Sequence, residues 1–264
     1  GAIRSRRSGL STPAARSAND EREQMTEPHR VSQATLDQLL VPSTATLTSV
    51  LKGLGLGNTF MHNVTPLKPG MKMAGSAYTL RYIPAREDLN DIPMDNLTDK
   101  QRVGIEAMEP GDILVIDARG DTRAGTMGSI LAMRMQQMGA AGVVTDGAYR
   151  DSPAIAESGM PAFCRAMNAH TNKSIHYPSE IQVPVGCGDV AVLPGDIIVG
   201  DGEGVVVIPS HLAEQVAQTA HEMEEKEIFI MEKIRGGASI VGTYPPDEKT
   251  MAQFEAWKNA RAAK

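Results

Sequence analysis

Apolar and polar positions along this chain recur with two periods, and each change of period marks an element. Leu47, Val50, Leu51 and Leu54 recur at helical spacing behind Ser43-Thr44-Ala45-Thr46, which predicts a capped short helix ended by Gly55 and Gly57. Residues 73–82 alternate as a strand does. The polar stretch 86–102, with its Asp, Asn and Pro residues, predicts a loop and one short helix. The pattern then becomes denser. Residues 113–117 read as a buried strand, 119–127 as a glycine-containing loop, 128–138 as a helix and 142–145 as a second buried strand, together a βαβ unit. Further on, 181–184, 189–193, 197–200 and 204–209 read as short strands separated by Gly, Pro and Asp turns, with a tight hairpin over 200–209. A final helix is expected to begin near Ser210.

One residue stands out within that last helix. Leu212, Val216, Ala220, Met223, Glu227, Ile230 and Ile234 form a stripe at spacings of four and three, and Glu227 interrupts it. A carboxylate there either snorkels at the stripe's edge or serves a polar feature of an interface. No internal repeat is visible, so a solenoid is excluded.

Composition narrows the class. With 264 residues, 41% of them hydrophobic, the chain can bury a full-sized core. Aromatics are only 4% of residues while glycines number 25, a balance suited to an Ala/Val/Ile/Gly-rich α/β core. The formal net charge of −6 argues against nucleic-acid binding, which needs clustered cations to neutralise phosphates. Cys164 and Cys187 lack metal-site spacing and read as reduced core thiols. The apolar runs are too short to span a bilayer, so no membrane partner and a cytoplasmic location are expected. Residues 1–24 carry Arg, Ser, Ala and Gly without apolar periodicity and read as a disordered extension ahead of Met25, with a docking arm as the alternative.

Candidate chemistry follows from topology. A right-handed βαβ crossover sets two parallel strands side by side, and ligands bind beyond their carboxyl ends. Two loops meet there. The first runs from Arg119 to Gly128 into a helix whose early backbone N–H groups, on Ser129, Ile130 and Leu131, form a cradle for an anion. Gly125 and Gly128 are expected to let that ligand approach the backbone, although glycine before a helix is also plain turn chemistry. The second loop, Asp146-Gly147-Ala148-Tyr149-Arg150-Asp151, supplies a guanidinium able to hold an anion and a carboxylate able to bind a hard divalent ion. An Arg–Asp pair capping a loop is the simpler alternative. His170, Thr171, Asn172 and Lys173 form a polar loop that reads as a solvated turn or as a reader of a substrate's distal end.

Four runs carry a more specific signal: Gly111-Asp112-Ile113-Leu114-Val115-Ile116-Asp117, Gly128-Ser129-Ile130-Leu131-Ala132, Gly142-Val143-Val144-Thr145-Asp146-Gly147-Ala148-Tyr149-Arg150-Asp151, and Gly200-Asp201-Gly202-Glu203-Gly204-Val205-Val206-Val207-Ile208-Pro209. In order and spacing, across residues 35–245, the chain resembles the RraA-like family, which includes 4-hydroxy-4-methyl-2-oxoglutarate aldolases and protein regulators of ribonuclease E. The resemblance implies a swivelling phosphohistidine-domain-like α/β/β/α sandwich over residues 25–264, ending in a helical extension. It implies a divalent-metal-dependent lyase that cleaves a hydroxylated 2-oxo acid through a pyruvate enolate, with oxaloacetate decarboxylation as a related activity. Mg²⁺ or Mn²⁺ would sit on Asp151. Arg150 would stabilise the enolate, and Gly128, Ser129, Ile130, Leu131 and Arg150 would bind the substrate. Subunits would form a trimer or hexamer with sites between neighbours, Glu227 being the best match to an acidic residue reaching across. The alternative is a non-catalytic regulator that docks on an RNA-degrading enzyme. One departure is plain: the aldolase motif places an Asp twenty residues before the Arg-Asp pair, and here that position is Ser129.

Overall fold

The computed structural model describes residues 30–90 and 95–262. The extension expected over residues 1–24 and the domain start at residue 25 lie outside the described residues. Among the described residues, two capped helices come first. Ser32 and Ser43 turn their hydroxyls to the amides of Thr35 and Thr46 and so start α1 (Gln33–Leu39) and α2 (Thr44–Gly53). Then follow β1 (Thr65–Pro66), β2 (Met73–Pro84), α3 (Glu87–Asn90), α4 (Lys100–Ala107) and β3 (Asp112–Asp117). The middle of the chain forms α5 (Ser129–Gln137), β4 (Gly142–Thr145), β5 (Ala148–Tyr149), α6 (Ser152–Ser158), β6 (Ala162–Cys164) and β7 (Ala166–Met167). The remainder forms β8 (His176–Ile181), β9 (Val185–Cys187), β10 (Val190–Val192), β11 (Ile197–Gly200), β12 (Val205–Ile208), α7 (Ala213–Arg235) and α8 (Glu248–Ala262).

The main sheet runs β1-β6-β4-β3-β2-β11-β12, with β8 also paired to β2. Strands β2, β3, β4 and β6 are mutually parallel, as the expected βαβ unit requires, while β11 and β12 form the expected antiparallel hairpin. One short segment brings the two edges together. Met61 N donates to Val205 O at 2.9 Å and Val207 N to Thr59 O at 2.8 Å, and a few residues later Thr65 and Pro66 pair with Cys164 and Phe163 on β6. The sheet is thereby nearly closed.

Alternation along the strands then sorts the core. Ile113, Val115, Val144, Phe163, Val205 and Val207 face inward and pack with Val185, Cys187, Val190 and Val192 of the β9–β10 hairpin. Their outward neighbours meet two helical layers. Leu114, Ile116 and Val143 lie under Ile105, Met135 and Ile155 of α4, α5 and α6, whereas Ile197, Val199, Val206 and Ile208 lie under Leu39, Leu47 and Val216 of α1, α2 and α7. Helix, sheet, sheet, helix is the expected α/β/β/α order. Cys164 and Cys187 are free and buried, as expected, and burial pushes the Cys164 thiol up to about 11.

Three expectations need correction. Residues 181–184 are not a strand: Ile181 ends β8, and its neighbour Gln182 turns at φ 53°. The pairing that the pattern missed lies one element earlier, where Pro178 obscures the alternation. The stretch 86–102 holds the expected loop and short helix, α3 at Glu87–Asn90, but also the start of a second, since α4 begins at Lys100 behind an Asp99 cap and runs on to Ala107. The helix expected from near Ser210 forms, but it is not the last. After a 3₁₀ turn at Ser210–Leu212, α7 runs to Arg235 and α8 folds back on it through Phe229, Ile230, Phe254 and Trp257. Among the described residues, no helix is long and apolar enough to cross a membrane.

Candidate active site

The loop after β4 reaches the site by pairing with the loop before α5. Thr126 N and Thr126 Oγ1 both donate to Ala148 O, at 2.7 and 2.9 Å, and Arg150 N donates to Met127 O at 3.0 Å. The two expected loops therefore converge, as the parallel crossover demanded. Close approach explains the glycines. A Cβ on Gly125 would lie 2.6 Å from Arg150 N, and one on Gly128 would lie 2.7 Å from Asp151 Oδ2. Both glycines thereby admit Arg150 and Asp151, and both also line the cavity.

Asp151 has an unusual setting. It occupies the N-cap position of α6 with φ 55° and ψ 28°, a left-handed conformation that Asp tolerates better than most residues. An N-cap carboxylate ordinarily caps its own helix, and this one makes no such bond. It turns instead to the start of α5, where Ser129 N and Ser129 Oγ donate to Oδ2 at 3.4 and 3.3 Å. Arg150 Nε lies 3.6 Å from Oδ1, and both side chains remain about two-fifths exposed at 42% and 43%. The Ser129 amide is thus shared with Asp151, which narrows the expected cradle to the amides of Ile130 and Leu131.

These groups line one cavity of about 390 Å³, together with Gly125, Met127, Gly128, Gln101, Arg102, Thr171, Asn172 and Lys173. Gly128, Ile130, Leu131, Arg150 and Asp151 line it directly, and Ser129 reaches it through Asp151. Arg102, Arg150 and Lys173 line the cavity beside Asp151; Arg102 pairs with Asp99 at 3.1 Å and Arg150 with Asp151 at 3.6 Å. Thr171, Asn172 and Lys173 of the polar loop line this cavity, while His170 and Thr171 stay exposed; His170 O accepts from Gly125 N at 2.9 Å, and Asn172 Nδ2 donates to Gln101 Oε1 at 3.1 Å. Gln101 and Arg102 escaped the sequence reading because they sit in a polar helix without a telling apolar period. A cavity of similar size, about 380 Å³, opens beside Asp112 at the amino end of β3 and contains none of the expected site residues.

Glu227 lies elsewhere within one chain. It sits on α7, which packs on α1, α2 and α8, and does not line the cavity of Arg150 and Asp151. Burial, and next the neighbouring Glu224, raise its carboxyl above the usual range.

Residues 44–207, more than half of the chain, match the family model described as RraA-like, Aldolase/RraA. The chain belongs to the RraA-like family. Arg150 and Asp151 fall inside the matched segment, whereas α7 with Glu227, and α8, lie beyond it. A Halalkalibacterium halodurans protein carrying the provisional name 4-hydroxy-4-methyl-2-oxoglutarate aldolase is 33% identical over 74% of this chain and 87% of its own length. Protein DlpA of Legionella pneumophila is 27% identical over 78% of this chain, a match that spans only 32% of that longer protein. Among solved structures, Streptomyces coelicolor RraAS2, described as an unusual member of the RNase ES inhibitor RraA protein family, superposes with a TM-score of 0.69 at 34% identity, covering 76% of this chain and 97% of its own. An uncharacterised protein of Pseudomonas syringae superposes with a TM-score of 0.71 at 26% identity over 82% of this chain and 99% of its own.

Proposed function

We propose that this RraA-like protein is a divalent-metal-dependent lyase acting on a hydroxylated 2-oxo acid, with pyruvate as one product. The observation that carries the reading is the convergence of Arg150, Asp151 and the first amides of α5 on one cavity. Asp151 offers a half-exposed carboxylate in a cavity open to water, and no group of three or more His, Cys, Asp or Glu among the described residues forms a metal cage. That donor set fits Mg²⁺ or Mn²⁺, hard ions that take one or two carboxylates and complete their shells with water and substrate oxygens. When bound, such an ion would supply Lewis-acid polarisation of the 2-oxo group.

The chain's own residues divide the remaining work. The amides of Ile130 and Leu131 receive the substrate carboxylate at the positive end of α5. As the carbon–carbon bond breaks, its electron pair passes into the pyruvate enolate while the hydroxyl carbon becomes a carbonyl and its proton leaves to a base. Arg150 faces the developing enolate charge, and a fixed donor aimed at such charge is commonly the largest catalytic contribution. Glu227 from a neighbouring copy serves as the acidic group that orients water for the proton; its raised carboxyl suits proton handling. An assembly in which copies share sites is supported by α5, where Ile130 and Met133 are 83% and 60% exposed beside the cavity. The trimer or hexamer belongs to this proposal.

A second reading is favoured by Ser129, which replaces the motif Asp, and by the likeness to a protein described within an RNase inhibitor family. There the chain would bind an RNA-degrading enzyme and perform no chemistry. Incubating the purified protein with hydroxylated 2-oxo acids and oxaloacetate, with and without Mg²⁺ or Mn²⁺, separates the two. Metal-dependent pyruvate release supports the lyase; no release from any substrate, with inhibition of a ribonuclease, supports the regulator.

A further inference from the structure

A closed ring of hydrogen bonds runs from the cavity wall, where Gln101 and Asn172 lie, to the buried Tyr82 and Thr126 behind it. Thr126 O accepts from Gln101 Nε2 at 2.8 Å and from Tyr82 OH at 3.0 Å. Asn172 Nδ2 donates to Gln101 Oε1 at 3.1 Å and to Tyr82 OH at 3.4 Å, which joins both donors from behind. Gln101, Tyr82 and Thr126 are almost completely buried, so each bond is made in low dielectric and each loss leaves a polar atom dry. Burial also raises the Tyr82 hydroxyl far above its ordinary range, so it stays protonated and donating.

The ring acts on one peptide unit. The Thr126 carbonyl it fixes belongs to the peptide bond leading into Met127, whose own carbonyl accepts from Arg150 N at 3.0 Å. On the near side, Thr126 N donates to Ala148 O at 2.7 Å. Three elements distant in sequence, β2 through Tyr82, α4 through Gln101 and the 170–173 loop through Asn172, thus clamp the strand-like run that sets the height of Arg150 and Asp151 above α5. A buried Gln and a buried Tyr hydroxyl satisfying one carbonyl, bridged by Asn172, are more than packing requires, since apolar side chains of similar volume would fill the same space.

We propose that Gln101, Tyr82 and Asn172 are positioning residues that hold Arg150 and Asp151 in register with the amide cradle of α5. This rests on the lyase reading for its kinetic consequence, but the positional claim stands on hydrogen bonds alone. Gln101→Met keeps volume and removes both bonds, and Tyr82→Phe removes one hydroxyl while keeping the ring stacked on His176 at 5.3 Å.

The test pairs kinetics with amide hydrogen exchange in the full-length protein. Misplacement by a fraction of an ångström to one ångström predicts a kcat loss of roughly ten- to a hundredfold in Gln101→Met, with Mn²⁺ affinity weakened alongside it because Asp151 shifts with Arg150. Tyr82→Phe should lose less, and the double variant little more than Gln101→Met, because the bonds act as a unit. Exchange at the Thr126 and Arg150 amides should accelerate in both variants while that in β11 and β12 stays at the parent rate. Parent kcat in both variants, or parent exchange at both amides, overturns the proposal. If the parent protein releases no pyruvate from any substrate, the lyase reading fails, and the exchange rates alone then decide whether the ring holds Arg150.

Discussion

Asp151 caps the wrong helix: it stands at the N-cap of α6, yet its carboxylate accepts from the backbone and hydroxyl of Ser129 at the start of α5, at 3.4 and 3.3 Å. The left-handed backbone at Asp151 makes this possible by aiming the side chain back across the cavity. Strain of this kind is kept where the surroundings enforce it, which is typical of functional sites.

Ser129→Asp would set a second carboxylate beside Asp151. Two like charges at that separation need a cation between them or Arg150 alongside. The variant should bind Mn²⁺ more tightly than the parent, become more stable when the ion is added, and release more pyruvate from 4-hydroxy-4-methyl-2-oxoglutarate. Titration calorimetry and a pyruvate assay check both parts. Unchanged affinity and turnover in a folded variant would mean that position 129 does not govern the site.

The two loop glycines should respond differently to alanine. A Cβ on Gly125 meets Arg150 backbone, which cannot move cheaply, so Gly125→Ala should lower stability by about 1–3 kcal/mol. On Gly128 the Cβ meets a carboxylate oxygen at the end of a side chain. Gly128→Ala should keep the parent melting temperature but displace Asp151, with weaker metal binding and slower turnover. Denaturant unfolding beside metal titration distinguishes the pair.

Asp196 gives the fold a pH signature. Burial raises its carboxyl to about 6 despite the 2.8 Å bond from Leu193 N. The folded state therefore holds this proton more tightly than the unfolded chain. The associated stability is present at acid pH below the ordinary carboxyl value of 3.8 and is lost as pH rises through about 6. Asp196→Asn should be less sensitive than the parent across that window, with Asp112, also raised to about 6, keeping part of the slope, and should gain most over the parent at neutral pH. Melting temperatures measured between pH 4 and 8 check the slope; equal slopes in both proteins would contradict it.

Assembly is tested by the exposed face of α5. The parent protein should sediment as a trimer or hexamer, and Ile130→Asp with Met133→Asp should shift it to smaller species and reduce turnover together. A monomeric parent at micromolar concentration would remove Glu227 from the site.

Much of this architecture was legible because burial has a simple period. Residues 142–145 form the second strand of the crossover as read, and Ser43 caps α2 as its position suggested. The positions of Arg150 and Asp151 followed from the crossover rule, since a residue leaving a parallel strand must emerge at its carboxyl end. What escaped was set by contacts between distant segments. Gln101 and Asn172 are polar residues in polar stretches, and only the folded chain shows that they meet at 3.1 Å. The approach of Asp151 to Gly128 was hidden for the same reason, because the two come from different loops. The helix α8 has almost no one-sided apolar pattern and is fixed by Phe254 and Trp257 against α7.

The most direct test of the central claim is pyruvate release by the parent, Arg150→Ala and Asp151→Ala proteins across a titration of Mn²⁺. The account predicts metal-dependent release by the parent and none by Asp151→Ala at any moderate ion concentration. Arg150→Ala should still bind the ion but lose turnover by about 3 kcal/mol of transition-state stabilisation, the scale of a lost oxyanion donor. Release at the parent rate by both alanine variants would contradict the assignment of chemistry to this pair.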